Sequence, residues 1–250
     1  MQSGNPALNQ SVFLDAGSGT VSTSDHNAMT VAGTVNKTLF LLFLVVFTAA
    51  GTWLQLDLVN NPGGAMPYII GGALGGLVLA LVTTFKAEWA PVTAPAYAVV
   101  EGLFIGAVSA LYELQYPGIV IQAAGLTFAT MAAMLFAYRS GLVQATDGFK
   151  RGMYAALGGI FIVYLVSIVM NLFGSQVPYI HDNGLIGIGF SLFVVAIAAL
   201  SFVLDFDMIE QGVNAGAPKQ MEWYGAFGLT VTLVWLYIEF LRLLSKLQSD

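Results

Sequence analysis

From residue 38 onward the chain is a succession of apolar runs separated by short polar stretches, at 38–56, 67–85, 92–112, 117–138, 152–174, 184–204 and 224–244. Crossing the ~30 Å hydrocarbon layer of a bilayer takes about 20 apolar residues in a helix, whereas a barrel strand needs only about 10. Backbone groups in hydrocarbon must also satisfy one another within the segment. The pattern therefore predicts seven transmembrane helices, an all-α bundle forming one domain over residues 37–250. The last run, LTVTLVWLYIEFLRLL at 229–244, is apolar around its whole circumference yet carries Glu239. A charge facing lipid is costly, so this helix is expected in the core of the bundle.

The first 36 residues, rich in Ser, Thr, Asn and Gly, contain no Lys or Arg. They lack the basic start and compact apolar stretch of a signal peptide and read as a disordered polar tail.

Composition sharpens the class. Charged residues make up 9% of the chain and hydrophobic ones 57%, where soluble domains carry about 25% charge. Mean hydropathy is +0.79. The bilayer is thus the first expected partner. With no cysteine there is no disulfide framework, thiolate metal site or redox motif. A net charge of -6 offers no basic surface to nucleic acid. Only His26 and His181 could act as imidazole bases, and neither belongs to a zinc-binding H-E-x-x-H pair. No glycine loop ends in the Lys-Ser/Thr of a phosphate cradle. An enzyme is not expected, nor a cofactor.

The basic residues orient the bundle, because positive loops stay on the cytoplasmic side. With the N terminus inside, Lys37, Lys86, Arg139, Lys150, Arg151 and Lys219 are all cytoplasmic, while the loops at 57–66, 113–117 and 175–183 hold no Lys or Arg. Arg242 and Lys246 would then lie outside, unless the last segment is re-entrant. Glycines mark close approach: IGGALGG at 70–76 contains Gly71 with Gly75 and Gly72 with Gly76, two overlapping G-x-x-x-G spacings that read as a packing face.

Carboxylates inside membrane helices are candidates for function. Four qualify: Glu101 in the third span, Asp205 and Asp207 at the inner end of the sixth, and Glu239 well inside the seventh. The remaining acids, Glu210 and Glu222 among them, fall in tails, loops or span ends and are set aside as solvated. Each candidate also has a structural reading. Glu239 precedes Arg242 by three residues on one helical face, so the two can neutralise each other locally. Asp205 and Asp207, two apart, point in different directions. Glu101 can be protonated and hydrogen-bonded between helices.

These residues carry a resemblance. The mid-bundle E-G-x-x-x-G (Glu101, Gly102, Gly106), the F-D at Phe206-Asp207 ending the penultimate span, and L-Y-I-E-F-L-R-L-L at 236–244 together resemble the Bax inhibitor motif family, also called YccA-like. NPALNQSVF at 5–13 and GTVNKT at 33–38 resemble its bacterial branch with an extended N terminus. The resemblance implies a pH-sensitive passive leak for calcium in the bacterial cytoplasmic membrane, with Asp207 paired to Glu239 as the sensor. Two departures stand out: the seventh-helix acid is Glu rather than the family's usual Asp, and it lies about two turns farther along, which leaves Asp205 as an alternative or additional partner. Lys86 and Arg139 are the candidates for the family's basic partner, with Glu101 and Arg242 in support.

The chemistry is coherent. Two close carboxylates in a low dielectric cannot both ionise and titrate as one unit. Loss of their shared proton would drive them apart, and the freed oxygens of Asp205, Asp207 and Glu239 suit transient contact with a hard cation such as calcium. The competing expectation is a non-conducting regulator that binds a membrane protease or another membrane protein, a role also found in the family.

Overall fold

The computed structural model describes residues 28–173 and 184–249. Among the described residues seven helices long and apolar enough to cross a membrane follow one another: α1 (Val31–Gln55), α2 (Met66–Phe85), α3 (Ala90–Gln115), α4 (Ile119–Arg139), α5 (Asp147–Leu172), α6 (Leu185–Asn214) and α7 (Met221–Gln248). The expected all-α bundle is what forms. His26, His181, most of the polar tail and the whole 175–183 loop lie outside the described residues.

The tail is shorter than expected. Residues 31–36 already form the start of α1, because Thr30 caps it: its Oγ1 accepts the N–H of Gly33 at 2.9 Å. At the other end, α7 is one continuous helix of 28 residues, ~42 Å long. It does not re-enter, so Arg242 and Lys246 stand at the opposite end from Lys219.

Helix α7 occupies the centre. Of its most apolar stretch 67% is buried, against 17% for α2, α4 and α5, and α1, α3, α4 and α6 all pack on it. Tyr224, Phe227, Leu236 and Leu241 on α7 are fully enclosed. The outer faces of the peripheral helices expose Phe43, Phe47, Leu74, Val78, Phe161 and Ile162, as a lipid-facing surface must.

Two helices lie at the edge of the bundle. Helix α2 packs chiefly on α3 and the short turns flanking it, and α5 packs chiefly on α6. The glycines explain the first contact. A Cβ on Gly72 would lie 2.6 Å from Phe104 Cβ, and one on Gly76 would lie 2.5 Å from Glu101 Oε2. Gly75 joins them, with a Cβ position 3.0 Å from Val100 Cγ1, whereas Gly71 has nothing within 4 Å of a Cβ position and lies off the seam. Gly102 and Gly106 do the same work on the opposite side of α3, where they meet α1 at Thr48 and Ala49.

Candidate functional site

The antiparallel contact of α6 with α7 sets the height of every candidate acid. Their connection turns at Gly216, whose φ of 67° is left-handed backbone that suits glycine. From there the two helices run side by side, and the Thr232 hydroxyl donates to Asp205 Oδ2 at 2.6 Å. Asp205 is completely buried. Glu239 lies two turns further along α7, ~10 Å beyond Thr232 at 1.5 Å per residue.

The expected pairing of Asp207 with Glu239 is therefore not formed, and the register is the reason. Asp207 lies nearer the α6–α7 turn than Asp205 does, while Glu239 lies farther from that turn than Thr232. Their separation along the bundle is ~13 Å. Each carboxylate has instead taken its own cation, and each cluster reaches α5. Asp207 Oδ2 lies 2.6 Å from Lys150 Nζ on α5 and accepts from Gln211 Nε2 at 2.6 Å. Glu239 is 1% exposed. Arg242 Nη1 donates to both of its oxygens, at 2.9 and 3.0 Å, and Trp235 Nε1 donates to Oε1 at 3.2 Å. The Tyr164 hydroxyl on α5 donates to Oε1 at 2.8 Å and itself accepts from Arg242 Nη1 at 2.6 Å. The guanidinium also sits 5.2 Å from the centre of the Tyr164 ring.

The local Glu239–Arg242 pair is thus the one the fold builds, extended by a tyrosine from a third helix. Asp205 and Asp207 do point apart, one to α7 and the other to α5. Lys86 and Arg139 take no part as basic partners and form no ion pair among the described residues; Lys150 and Arg242 fill that role. Nor do Asp205, Asp207 and Glu239 converge on a cation: among the described residues no three acidic, histidine or cysteine side chains come together as a metal site. Glu101 is buried against Gly76 but forms no hydrogen bond among the described residues, so the interhelical bond expected of it is absent.

A carboxylate set aside as solvated proves to be deeply engaged. Glu222, in the first turn of α7, is fully buried. Its Oε1 accepts from the backbone N–H and the hydroxyl of Thr30, at 3.0 and 2.9 Å. Its Oε2 accepts from Lys37, which lies over the Trp223 ring at 5.4 Å, and Lys219 approaches to 3.8 Å. Gly33 permits this, since a Cβ there would lie 2.1 Å from Glu222 Oε1. A bridge between Ala28 and Pro218, with Met29 N–H donating to Ala217 C=O at 2.7 Å, completes the fastening of α1 to the α6–α7 turn. Helix α7 is enclosed from its first turn, with Met221, Tyr224 and Phe227 buried, so an acid there faces protein.

This cluster yields a direct expectation. Glu222→Ala leaves the Lys37 ammonium and the start of α1 without their acceptor, and should lower stability by about 3 kcal/mol, in the range for breaking one side of a buried pair. Glu222→Gln, which retains an acceptor, should lose about half of that. Thermal unfolding of the detergent-purified protein reads the difference, and equal losses would refute the dependence on the retained acceptor.

A family model described as Bax inhibitor 1 like matches residues 5–249. No curated protein and no solved structure matches the chain.

Proposed function

From the premise that the chain belongs to the Bax inhibitor 1 like family, we propose that it is a pH-sensitive passive leak for cations, calcium first among them, and that α5 is its gate. The observation that carries this reading is that α5, whose backbone packs chiefly on α6, is clamped to the central pair by two polar contacts. These are Lys150 to Asp207 on α6 and Tyr164 to the Glu239–Arg242 pair on α7. Ion pairs shielded from water are strong only while both members are charged.

The sign of the response differs from that of a shared-proton pair. Here each carboxylate already faces a cation, so protonation deletes the anionic half of a clamp and leaves the cation uncompensated. Acid loosens α5, and flux rises as pH falls. The reading needs no cofactor and no covalent reaction. It places the chain in a bacterial cytoplasmic membrane with Lys37, Lys86, Arg139, Lys150, Arg151 and Lys219 at the inner face, as the distribution of positive charge favours.

Calcium flux into liposomes containing only the purified protein tests it. Wild type should leak severalfold faster at acidic than at neutral pH. Asp207→Asn and Glu239→Gln should each raise the neutral-pH leak and flatten the profile, because an amide keeps the shape and cannot titrate. Asp205→Asn, whose Thr232 partner lies on α7, should change the profile less. A conducting wild type whose pH profile survives both Asp207→Asn and Glu239→Gln would remove α5 as the gate. A wild type that is silent at every pH would transfer the reading to a non-conducting regulator of a membrane protease or another membrane protein.

A further inference from the structure

Helices α1 and α4 both pack on α7 but scarcely on each other, which leaves a lateral groove floored by α6 at one end, with Phe206 and Ile209 beside Leu229, and by Leu233 and Val234 of α7 deeper in. Two hollows lie along it and share Leu42: one of about 740 Å³ at the end with the α6–α7 turn, and one of about 250 Å³ deeper in the bundle. Val35, Leu39 and Val46 on the α1 rim and Leu135 and Phe128 on the α4 rim are exposed, so the groove opens sideways to the bilayer. Its character changes along its length. The deeper hollow is walled by Val46, Ala50, Ala124, Phe128 and Leu233. The larger one carries Arg139, Glu210, Gln144 and Asp207 at its mouth.

We infer that this groove seats one phospholipid whose headgroup bears both a phosphate and a primary ammonium, the chemistry of phosphatidylethanolamine. The charges at the mouth are matched to such a headgroup. Arg139 forms no ion pair among the described residues and presents a guanidinium suited to a phosphate. Asp207 is neutralised by Lys150. Glu210 is exposed and accepts from the Tyr138 hydroxyl through Oε2 at 2.5 Å, with its anionic charge available to an ammonium. Lining side chains of opposite sign favour a zwitterion over a purely anionic lipid. A primary ammonium supplies N–H donors that a quaternary choline lacks. The acyl chain then continues past Leu42 into the apolar hollow between Val46, Ala50, Ala124 and Phe128. This assignment is independent of whether the protein conducts.

The test is native mass spectrometry of the detergent-purified full chain, offered phosphatidylethanolamine, phosphatidylcholine and phosphatidylglycerol with identical acyl chains. One phosphatidylethanolamine should be retained per protein, with a roughly tenfold preference over either competitor, the size expected of one modest charge-assisted hydrogen bond. Glu210→Gln should erase the preference over phosphatidylcholine, and Arg139→Gln should weaken retention of all three lipids. Ala124→Trp and Ala50→Trp, each filling the apolar hollow, should abolish retention while circular dichroism still reports an intact helical fold. Should a tryptophan variant fail to fold, the headgroup preferences of Glu210→Gln and Arg139→Gln decide by themselves. Equal retention of the three lipids by wild type, or retention that survives both folded tryptophan variants, would mean ordinary surrounding lipid and overturn the inference. So would a second copy of the chain found occupying the groove.

Discussion

Replacing Arg242 with Met should destabilise the protein by about 3 kcal/mol, the lower end of the range for stripping one partner from a buried ion pair, since the arginine is itself 31% exposed while Glu239 is almost fully enclosed. The loss comes less from the vanished attraction than from the carboxylate left behind, with only the Tyr164 hydroxyl and the Trp235 indole N–H donating to it among the described residues. The double variant Glu239→Gln with Arg242→Met should regain much of the stability, because no charge then remains unpaired. Tyr164→Phe removes one hydrogen-bonding group and should cost about 1 kcal/mol. Thermal unfolding in detergent of wild type, Arg242→Met, Glu239→Gln and the double variant gives the coupling, with Tyr164→Phe run alongside. A double variant no more stable than Arg242→Met would show that the ion pair is not the source of the loss.

The second large effect belongs to packing. Gly106→Val should cost at least ~3 kcal/mol, the upper part of the overpacking range. A Cβ at Gly106 would stand 2.4 Å from the Ala49 carbonyl oxygen and 2.9 Å from its Cα, and helix backbone cannot move aside as a side-chain tip can. The only relief is separation of α1 from α3. Gly71→Ala is the contrasting case: nothing lies within 4 Å of its Cβ position, and alanine is the better helix former by about 1 kcal/mol. That variant should be neutral or slightly more stable. Expression yield and thermal midpoint of the two variants report the contrast, and comparable behaviour would contradict the assignment of the tight seam to Gly106.

How much of this was legible in the sequence divides along a physical line. The helices follow from apolar runs long enough to cross hydrocarbon, and the central place of α7 follows from an acid in a helix with no polar face. Both are properties of a single segment. The partners of the acids are properties of two segments and their relative height. Nothing local to Asp207 says that Lys150 will reach it, and the short distance in sequence between α6 and α7 suggests a closeness to Glu239 that the antiparallel register denies. The local pair was readable because Glu239 and Arg242 share a turn. Tyr164 was not, since it arrives from α5. Glu222 was misread because a position at the end of a span was equated with exposure, although the end of a core helix is roofed by its neighbours. The glycines show the same limit: the spacing at 70–76 signals a seam, but only the packing of α3 selects Gly72 and Gly76 over Gly71.

The fastening of Thr30 and Lys37 to Glu222 bears on how the molecule is made. Thr30 and Glu222 are 192 residues apart, so at ordinary rates of translation the first helix waits on the order of 10–40 s for the residue that secures its start. Throughout that interval the helix around which α1, α3, α4 and α6 are arranged has not yet left the ribosome. The early spans hold together through the glycine contacts of α3 with α1 and α2, an assembly with an open middle. Insertion of the last helix fills the middle and ties the beginning of the chain in the same event. A nascent chain cut short before residue 221 would have neither a core nor a fixed first helix, and quality control in the membrane would meet it as a bundle open along its whole length.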